Sequence, residues 1–337
     1  MRRLITGRGL RLLLAAGICL GTLASVGAAG GADGALPQPA EALKTEERAV
    51  EPAEAAARTR RAAELLARRG VNKQQRDALS VRMGQDEFLF SMLERGELTR
   101  VYLTYLALPN GRAGLLDRYS IWAVANPELT AEEAVLQVNM NRDRDFYACV
   151  QEVEEPSGLA VLVNKHYALP AEYVPELEAL GKGYGTGSLR PEAAEAFRTM
   201  ADAAKKDGIS LRSVSAYRSY NTQKNTYNRY LKQYKQATVD TFSARPGHSE
   251  HQTGLALDIN VASTRAHFEN TPAFAWLKEH CAEYGFILRY DKGKEDVTGY
   301  RFEPWHYRYV GAEAAAAIME QGVSYEEYLA LLPVWSE

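Results

Sequence analysis

Residues 247–260, with the sequence GHSEHQTGLALDIN, restrict the fold of this chain more than any other segment. In its second half, apolar residues alternate with Ala256, Asp258 and Asn260, and this period of two predicts a strand that carries Asp258 on its less apolar face. In its first half, His251 lies in a turn between two glycines. A carboxylate on a strand that follows a histidine-bearing turn is either ordinary surface or half of a metal site.

The segments around this strand predict a mixed domain. From about residue 153, short apolar or alternating runs such as LAVLVN, LRSVSAY and GFILRY are separated by helical stretches such as PEAAEAFRTMADAAKKDG and YNTQKNTYNRYLKQYKQ. Strands and helices are interspersed here without a regular strand–helix–strand repeat, which indicates the α+β class. We therefore assign residues 153–337 to one α+β domain.

The first 28 residues have the pattern of an export signal. MRRLITGRGLR carries four arginines and is followed by an apolar run that ends in small residues. Such a pattern is typical of a secretory signal peptide, and residues 26–28 supply a small-residue cleavage context. The run is long enough for an uncleaved membrane anchor to be the alternative. In either case we expect an extracytoplasmic protein, secreted or anchored to the outer face of the cytoplasmic membrane.

Two further regions precede the α+β domain. Residues 29–71 are rich in Ala, Glu and Arg and contain few large apolar residues. This composition predicts an exported linker, partly helical toward RAAELLARR. Residues 72–141 have apolar residues at helical spacing and a capping-box pattern from Thr130 to Glu133, which together predict a small helical module.

Net charge and cysteine content exclude several classes of partner and cofactor. The net charge is −3, and no basic run is interleaved with aromatic residues, so we expect no nucleic-acid partner. The two cysteines outside the export signal are too few for a disulfide scaffold or a thiolate zinc cluster. We interpret Cys149 and Cys281 as reduced, buried thiols, with one disulfide between them as the alternative.

Four side chains of the α+β domain form a candidate catalytic site: His251, Asp258, Glu303 and His306. Two neutral imidazoles and one carboxylate are a common ligand set for a catalytic zinc ion and leave a fourth position open. Glu303 lies three residues before His306, where a glutamate that is not a ligand can take a proton from water. Taken singly, each residue has an ordinary structural interpretation in a loop, a turn or the core. His248 is a candidate outer partner of the metal.

Three blocks of the α+β domain resemble a known family. SVSAYRSYNTQ, GHSEHQTGLALDI and GFILRYDKGKEDVTGYRFEPWHYRYVG are similar to the zinc D-alanyl-D-alanine carboxypeptidase family of the VanY type, which shares a fold with the zinc-binding domain of Hedgehog proteins. The resemblance extends over about half of the chain, from near residue 161 to near residue 311. It implies a small antiparallel sheet with flanking helices, preceded in this chain by the helical module.

The family patterns SxHxxGxAxD and ExxH are both intact in this sequence. Carried over residue by residue, they make His251, Asp258 and His306 the zinc ligands. They make Glu303 the general base.

The resemblance also implies residues that contact the substrate. Arg218, in SAYRS, polarises the scissile carbonyl or stabilises the oxyanion in this interpretation, and pairing with a surface acid is its structural alternative. Gln223 and Ser249 occupy family positions near the substrate. Tyr290 borders the pocket.

The function implied by the resemblance is that of an exported zinc metallopeptidase, a hydrolase that removes a C-terminal D-alanine from peptidoglycan stem peptides. One alternative is an L,D-carboxypeptidase that acts on tetrapeptide stems. Another is a non-catalytic, zinc-containing module that binds the cell wall. Glu303 argues against the module, because a structural zinc site closes its fourth position with a ligand and needs no base.

Overall fold

The structure, a computed structural model, describes residues 51–261 and 267–334. The predicted export signal of residues 1–28 lies outside this part of the chain, as does most of the predicted linker before the first helix. Of the helices that the structure describes, none is long and apolar enough to cross a membrane.

Six helices form the first part of the described chain. The helices are α1 (Pro52–Arg68), α2 (Lys73–Gln85), α3 (Glu87–Arg95), α4 (Arg100–Leu106), α5 (Leu116–Ala125) and α6 (Ala131–Asn139). Asn72, Asp86 and Thr99 begin α2, α3 and α4, and each side chain accepts a hydrogen bond from a backbone N–H of the first turn. Thr130 and Glu133 form the expected capping box at the start of α6. These helices share one apolar core.

The first helix corrects the predicted linker. Within residues 29–71, Pro52–Arg68 is a helix whose Ala62 and Leu66 are fully buried in the shared core, so a linker is wrong over this stretch. The reason is close packing of small residues: a Cβ on Gly84 of α2 would lie only 2.0 Å from Thr59 Oγ1 of α1. A helix that approaches its neighbour so closely needs few large apolar side chains, and its sequence therefore resembles a linker.

The remaining elements form an α+β domain. The strands are β1 (Gln151–Glu152), β2 (Tyr167–Ala168), β3 (Glu178–Ala179), β4 (Ser188–Leu189), β5 (Arg212–Ser215), β6 (Ala256–Asn260), β7 (Phe286–Leu288) and β8 (His306–Tyr309). The helices are α7 (Pro191–Lys206), α8 (Tyr220–Leu231), α9 (Gln236–Val239), α10 (Pro272–His280), α11 (Glu295–Thr298), α12 (Ala312–Gln321) and α13 (Tyr325–Leu331). Strands β1 and β2 pair in parallel, and β3 and β4 pair antiparallel.

A four-stranded antiparallel sheet with the order β5-β6-β8-β7 is the centre of this domain, as expected for its fold class. The predicted alternation in β6 is confirmed, since Leu257 and Ile259 are fully buried in a core that includes the inner face of α7. On the opposite face, Asp258 pairs in register with Ser215 of β5 and with His306 of β8. The sheet therefore sets these three side chains in one row.

The helical module and the α+β domain pack against each other within one compact unit. Asn139 of α6 donates hydrogen bonds to the carbonyl groups of Asn110 and Ala330, at 2.9 and 3.2 Å. Met140, Val297 and Ala330 bury apolar surface at the same contact. The C-terminal helix α13 is thus held by the module as well as by its own domain.

The two cysteines differ in exposure. Cys281 is buried as expected, and burial raises the pKa of its thiol to about 12. Cys149 is exposed, which corrects the expectation that both thiols are buried. No disulfide joins the two residues, both of which lie in the described part of the chain.

Candidate metal centre and active-site cavity

The turn before β6 places His251 at the end of the sheet. Gly254 ends the turn Glu250–Thr253 with φ +70°, and a Cβ at this position would lie 3.0 Å from Pro175 Cγ. Glycine adopts this conformation without strain and leaves room for the neighbouring segment. His251 is thereby folded back toward the face of β6 that carries Asp258.

Three donor atoms converge on one point. His251 Nε2 lies 3.5 Å and His306 Nδ1 lies 3.3 Å from Asp258 Oδ1, and the donor atoms of the three residues all lie within 4.8 Å of one another. Among residues 51–261 and 267–334, Asp258 Oδ1 has no hydrogen-bond partner although it is buried. A buried carboxylate oxygen that faces two imidazole nitrogens fits a cation, and this donor set suits zinc.

Hydrogen bonds on the far side of each imidazole fix which nitrogen faces the cation. His251 Nδ1 donates to the carbonyl of Ala216 at 2.7 Å, which leaves the lone pair of Nε2 directed at Asp258. His306 Nε2 donates to Glu250 Oε2 at 3.4 Å, which leaves Nδ1 directed at the same carboxylate. Outer partners of this kind orient metal-binding histidines and set their tautomers.

Glu250 belongs to a buried ionic network that was not predicted from the sequence. Its carboxylate accepts from Arg289 Nε at 2.8 Å and from Arg308 Nη1 at 3.1 Å, and Arg289 also forms two hydrogen bonds with Glu326. Burial alone would raise the pKa of Glu250, but the two guanidinium groups outweigh it and hold the pKa below its usual range. Glu250 is therefore charged, and it orients the His306 ring through the nitrogen that does not face Asp258.

A sequence signal for this network existed but was weak. Glu250 directly precedes His251, where an acid is ordinary in a surface turn, yet it is only 2% exposed. Arg289 and Arg308 each follow apolar residues in strand-like runs, where an arginine needs an acidic partner if the strand is buried. Only the fold shows that these charges meet.

The protonation states of the donors match a cation site. Burial lowers the pKa of His251, so this imidazole is neutral and able to bind a metal. Burial also acts to lower the pKa of His306, but the neighbouring carboxylates of Asp258 and Glu250 outweigh it and raise the pKa to about 9. In the metal-free protein a proton on His306 thus partly neutralises the two carboxylates. A metal ion would replace this proton, so metal binding is coupled to proton release.

Glu303 lies beside the three donors. Its Oε2 is 3.9 Å from His306 Nδ1, and its backbone N–H donates to the carbonyl of Tyr290 at 3.0 Å. Burial raises the pKa of Glu303 to about 7, against the smaller opposing effect of His306. A carboxylate with a pKa near neutrality is well suited to accept and return a proton.

Arg218 reaches the same centre from the segment between β5 and α8. Its guanidinium donates to Gln223 Oε1 at 2.8 Å and to Ser215 Oγ at 2.9 Å, and it lies 3.9 Å from Asp258 Oδ2. The Arg218 backbone N–H also donates to the carbonyl of His251. This arginine is held at the donor cluster and does not pair with a surface acid.

The comparisons with known proteins agree with this geometry. The VanY family model, described as D-alanyl-D-alanine carboxypeptidase, matches residues 186–312, which contain all eight predicted site residues. A D-alanyl-D-alanine carboxypeptidase of Enterococcus faecalis (strain ATCC 700802 / V583) is 38% identical over 186 residues, which cover 52% of this chain and 67% of that protein. This chain belongs to the VanY family.

Two other known proteins are similar to about half of this chain. The YodJ protein of Bacillus subtilis (strain 168) is 41% identical over 196 residues, which cover 53% of this chain and 70% of that protein. The solved structure of the LD-carboxypeptidase LdcB is 39% identical and aligns with a TM-score of 0.52 over 55% of this chain and 92% of its own. The predicted resemblance and fold class are confirmed, and the family is one of carboxypeptidases.

The other predicted substrate contacts of this VanY-family chain differ in their surroundings. The Gln223 amide is occupied at both ends, since its oxygen accepts from Arg218 and its nitrogen donates to the carbonyl of Ala244 at 2.6 Å. Ser249 is buried and lines the cavity. The Tyr290 ring lies 4.9 Å from the His306 ring, and burial raises the pKa of its hydroxyl, which keeps its proton.

His248, considered as an outer partner of the metal, contacts another part of the domain. Its Nδ1 lies 2.7 Å from the carbonyl oxygen of Asn164, and its ring packs edge-on against Tyr147. The outer partners observed at the donor cluster are Ala216 and Glu250.

The cavity around the donors has a volume of about 610 Å³. We call its inner part the metal end, and this part is lined by Arg218, Gln223, Ser249, Glu250, His251, Asp258, Tyr290, Glu303 and His306. We call its other part the outer end, and this part is lined by Arg229, Tyr230, Tyr234, Phe242 and Arg301. No residue of the outer end was predicted from the sequence.

Proposed function

We propose that this protein is an exported zinc D,D-carboxypeptidase that removes a C-terminal D-alanine from peptidoglycan stem peptides. The observation that carries the proposal is the convergence of His251 Nε2, Asp258 Oδ1 and His306 Nδ1 beside a Glu303 that is not needed as a ligand. Three protein donors that leave a fourth position open are typical of a catalytic zinc site. The D,D specificity is supported by the Enterococcus faecalis relative and by the description of the family model.

The reaction follows from the positions of the side chains. Zinc held by the three donors would supply Lewis acidity and would lower the pKa of water. Glu303 accepts a proton from the attacking water and returns it to the leaving amine, and its raised pKa suits both steps. Arg218, fixed by Gln223 and Ser215, faces the negative charge that develops on the scissile carbonyl oxygen.

An L,D-carboxypeptidase is the second candidate, because LdcB is an LD-carboxypeptidase with a TM-score of 0.52 to this chain. Defined tripeptide, tetrapeptide and pentapeptide stems, incubated with the zinc-loaded protein and analysed by mass spectrometry, separate the two. D,D cleavage removes one residue from the pentapeptide and stops at the tetrapeptide. Conversion of the tetrapeptide to the tripeptide would identify L,D cleavage, and binding without cleavage of any stem would contradict both proposals.

The proposal of export depends on the first 28 residues of the chain. The arginine-rich start and apolar run of residues 1–28 motivate it, and peptidoglycan lies outside the cytoplasmic membrane. Cell fractionation with N-terminal sequencing of the mature protein is the measurement. A cytoplasmic protein that retains Met1 would contradict export.

A further inference from the structure

Helix α8 leads from the metal end of the cavity to the outer end. Gln223, near its start, contacts Arg218 at the donor cluster, and Tyr230, seven residues later, lines the outer end. Seven residues of helix span roughly 10 Å. A peptide whose scissile bond lies at the donors therefore extends past about three of its own residues before it reaches Tyr230, at about 3.3 Å for each extended residue.

Two arginines line this outer end. Arg229 belongs to α8, and Arg301 lies two residues before Glu303. Within the described part of the chain, neither guanidinium forms an ion pair with a carboxylate, although the charge of Arg301 acts to lower the pKa of Glu303. The neighbouring Arg245 differs, since Asp240 binds it at 2.8 Å.

Aromatic rings hold both guanidinium groups in place. Arg301 lies 4.4 Å from the centre of the Phe242 ring, and Arg229 lies 5.5 Å from the centre of the Tyr230 ring. The two rings contact each other edge-to-face at 5.1 Å. Stacking on rings orients an arginine and leaves its N–H donors available, and a planar carboxylate is the ligand that matches two such donors.

We infer that Arg229 and Arg301 form a binding subsite for a carboxylate that the substrate peptide carries two to three residues before the scissile bond. This inference rests on the proposed function. A substrate carboxylate has two sources, an acidic group upstream of the cleaved bond or the C-terminal carboxylate itself. The C-terminal carboxylate lies within one residue of the scissile carbonyl, close to the donors, whereas Arg229, on the α8 side of the subsite, lies nearly two turns of α8 beyond Gln223.

The test uses two pentapeptide stems that differ only in one upstream acidic group, present as a carboxylate or as its carboxamide. We expect wild-type kcat/KM to be about tenfold higher for the carboxylate peptide, as for the loss of one charge-assisted hydrogen-bond pair. In the Arg229→Gln/Arg301→Gln variant we expect the ratio of kcat/KM for the two peptides to fall to about one. Arg60→Gln/Arg212→Gln, which changes two exposed arginines outside the cavity, is the matched control for net charge and keeps the preference.

Other outcomes overturn the inference. No preference in the wild-type protein would do so. An equal loss for both peptides in the double variant would mean that the arginines bind the C-terminal carboxylate.

A binding measurement keeps the subsite separate from the proposed reaction. The affinity of both peptides for Glu303→Gln, measured by calorimetry, reports the subsite without turnover. A preference in affinity without cleavage by the wild-type protein would contradict the proposed reaction and support the subsite. Equal affinity of the two peptides would contradict the subsite alone.

Discussion

The two ends of the cavity differ in how completely their polar groups are satisfied. At the metal end, Arg218 and both donor histidines have protein partners that fix their orientation, and Glu250 is held by two buried arginines. At the outer end, Arg229 and Arg301 have aromatic neighbours and form no ion pair with a carboxylate of the described residues. Tyr234 at this end is 49% exposed.

We expect the metal end to act on the scissile bond and the outer end to select the substrate. Groups that act on the scissile bond need a fixed geometry before the substrate arrives, and buried hydrogen-bond networks provide it. Groups that select a substrate must keep donors available for it. Changes at the metal end should therefore affect metal binding and kcat, and changes at the outer end should affect mainly KM.

The largest effect is expected from removal of one donor. His306→Ala leaves two protein donors, so we expect loss of stoichiometric zinc and of measurable activity. Elemental analysis of the purified variant measures the first, and turnover of the preferred stem measures the second. Full zinc retention would remove His306 from the site, provided that circular dichroism shows a folded protein.

A smaller loss is expected from the partner behind His306. Glu250→Gln weakens the hydrogen bond that orients this imidazole, and outer partners of metal-binding histidines contribute about 10- to 100-fold to metal affinity. Competition with a chelator measures the zinc affinity. Glu326→Gln is the matched control, because it removes a carboxylate from the same buried network but does not contact a donor. Equal losses of zinc affinity in both variants would show that Glu250 affects zinc binding only by stabilising the buried ionic network.

The raised pKa of Glu303 predicts a dependence of stability on pH in the metal-free protein. The pKa of Glu303 is about 7 in the folded state, against its ordinary value of 4.5. The folded state therefore binds this proton more tightly than the unfolded state does. Stability from this residue is therefore present below pH 4.5 and is lost as the pH rises to about 7. Metal-free Glu303→Gln should melt above the metal-free wild-type protein at pH 8, and the gap should narrow toward pH 4.5. A gap that does not change with pH would contradict the raised pKa.

The smallest effect is expected from an exposed ring of the outer end. Tyr234→Ala removes a half-exposed wall of the cavity and contacts neither the donors nor Arg218. We expect KM for the stem peptide to rise by about two- to fivefold while kcat stays within about twofold, because only binding shared by the ground and transition states is removed. Steady-state kinetics measures both constants. A fall in kcat with unchanged KM would contradict the proposal that the outer end affects mainly KM.

Much of the metal end could be predicted from the sequence, because its signals are local. Alternation in β6 placed Asp258 on one face, and the spacing of Glu303 and His306 in one short block suggested a base beside a ligand. The antiparallel register then brought His306 opposite Asp258.

The features that were missed depend on distant contacts. Glu250 and Arg308 are 58 positions apart, and neither residue alone indicates a buried pair. Helix α1 looked like a linker because its contact with Gly84 needs small residues. Arg229 and Arg301 lie on separate segments, and only the fold places both at one cavity.

The most direct test of the proposed mechanism combines zinc content, peptide affinity and rate in Glu303→Gln. Glutamine keeps the size of the side chain and leaves the three donors unchanged, but it cannot accept the proton from water. We expect stoichiometric zinc, peptide binding close to that of the wild-type protein, and a rate lower by roughly two to four orders of magnitude. Loss of zinc would make Glu303 a ligand, and retained zinc with a near-normal rate would contradict its role as the base.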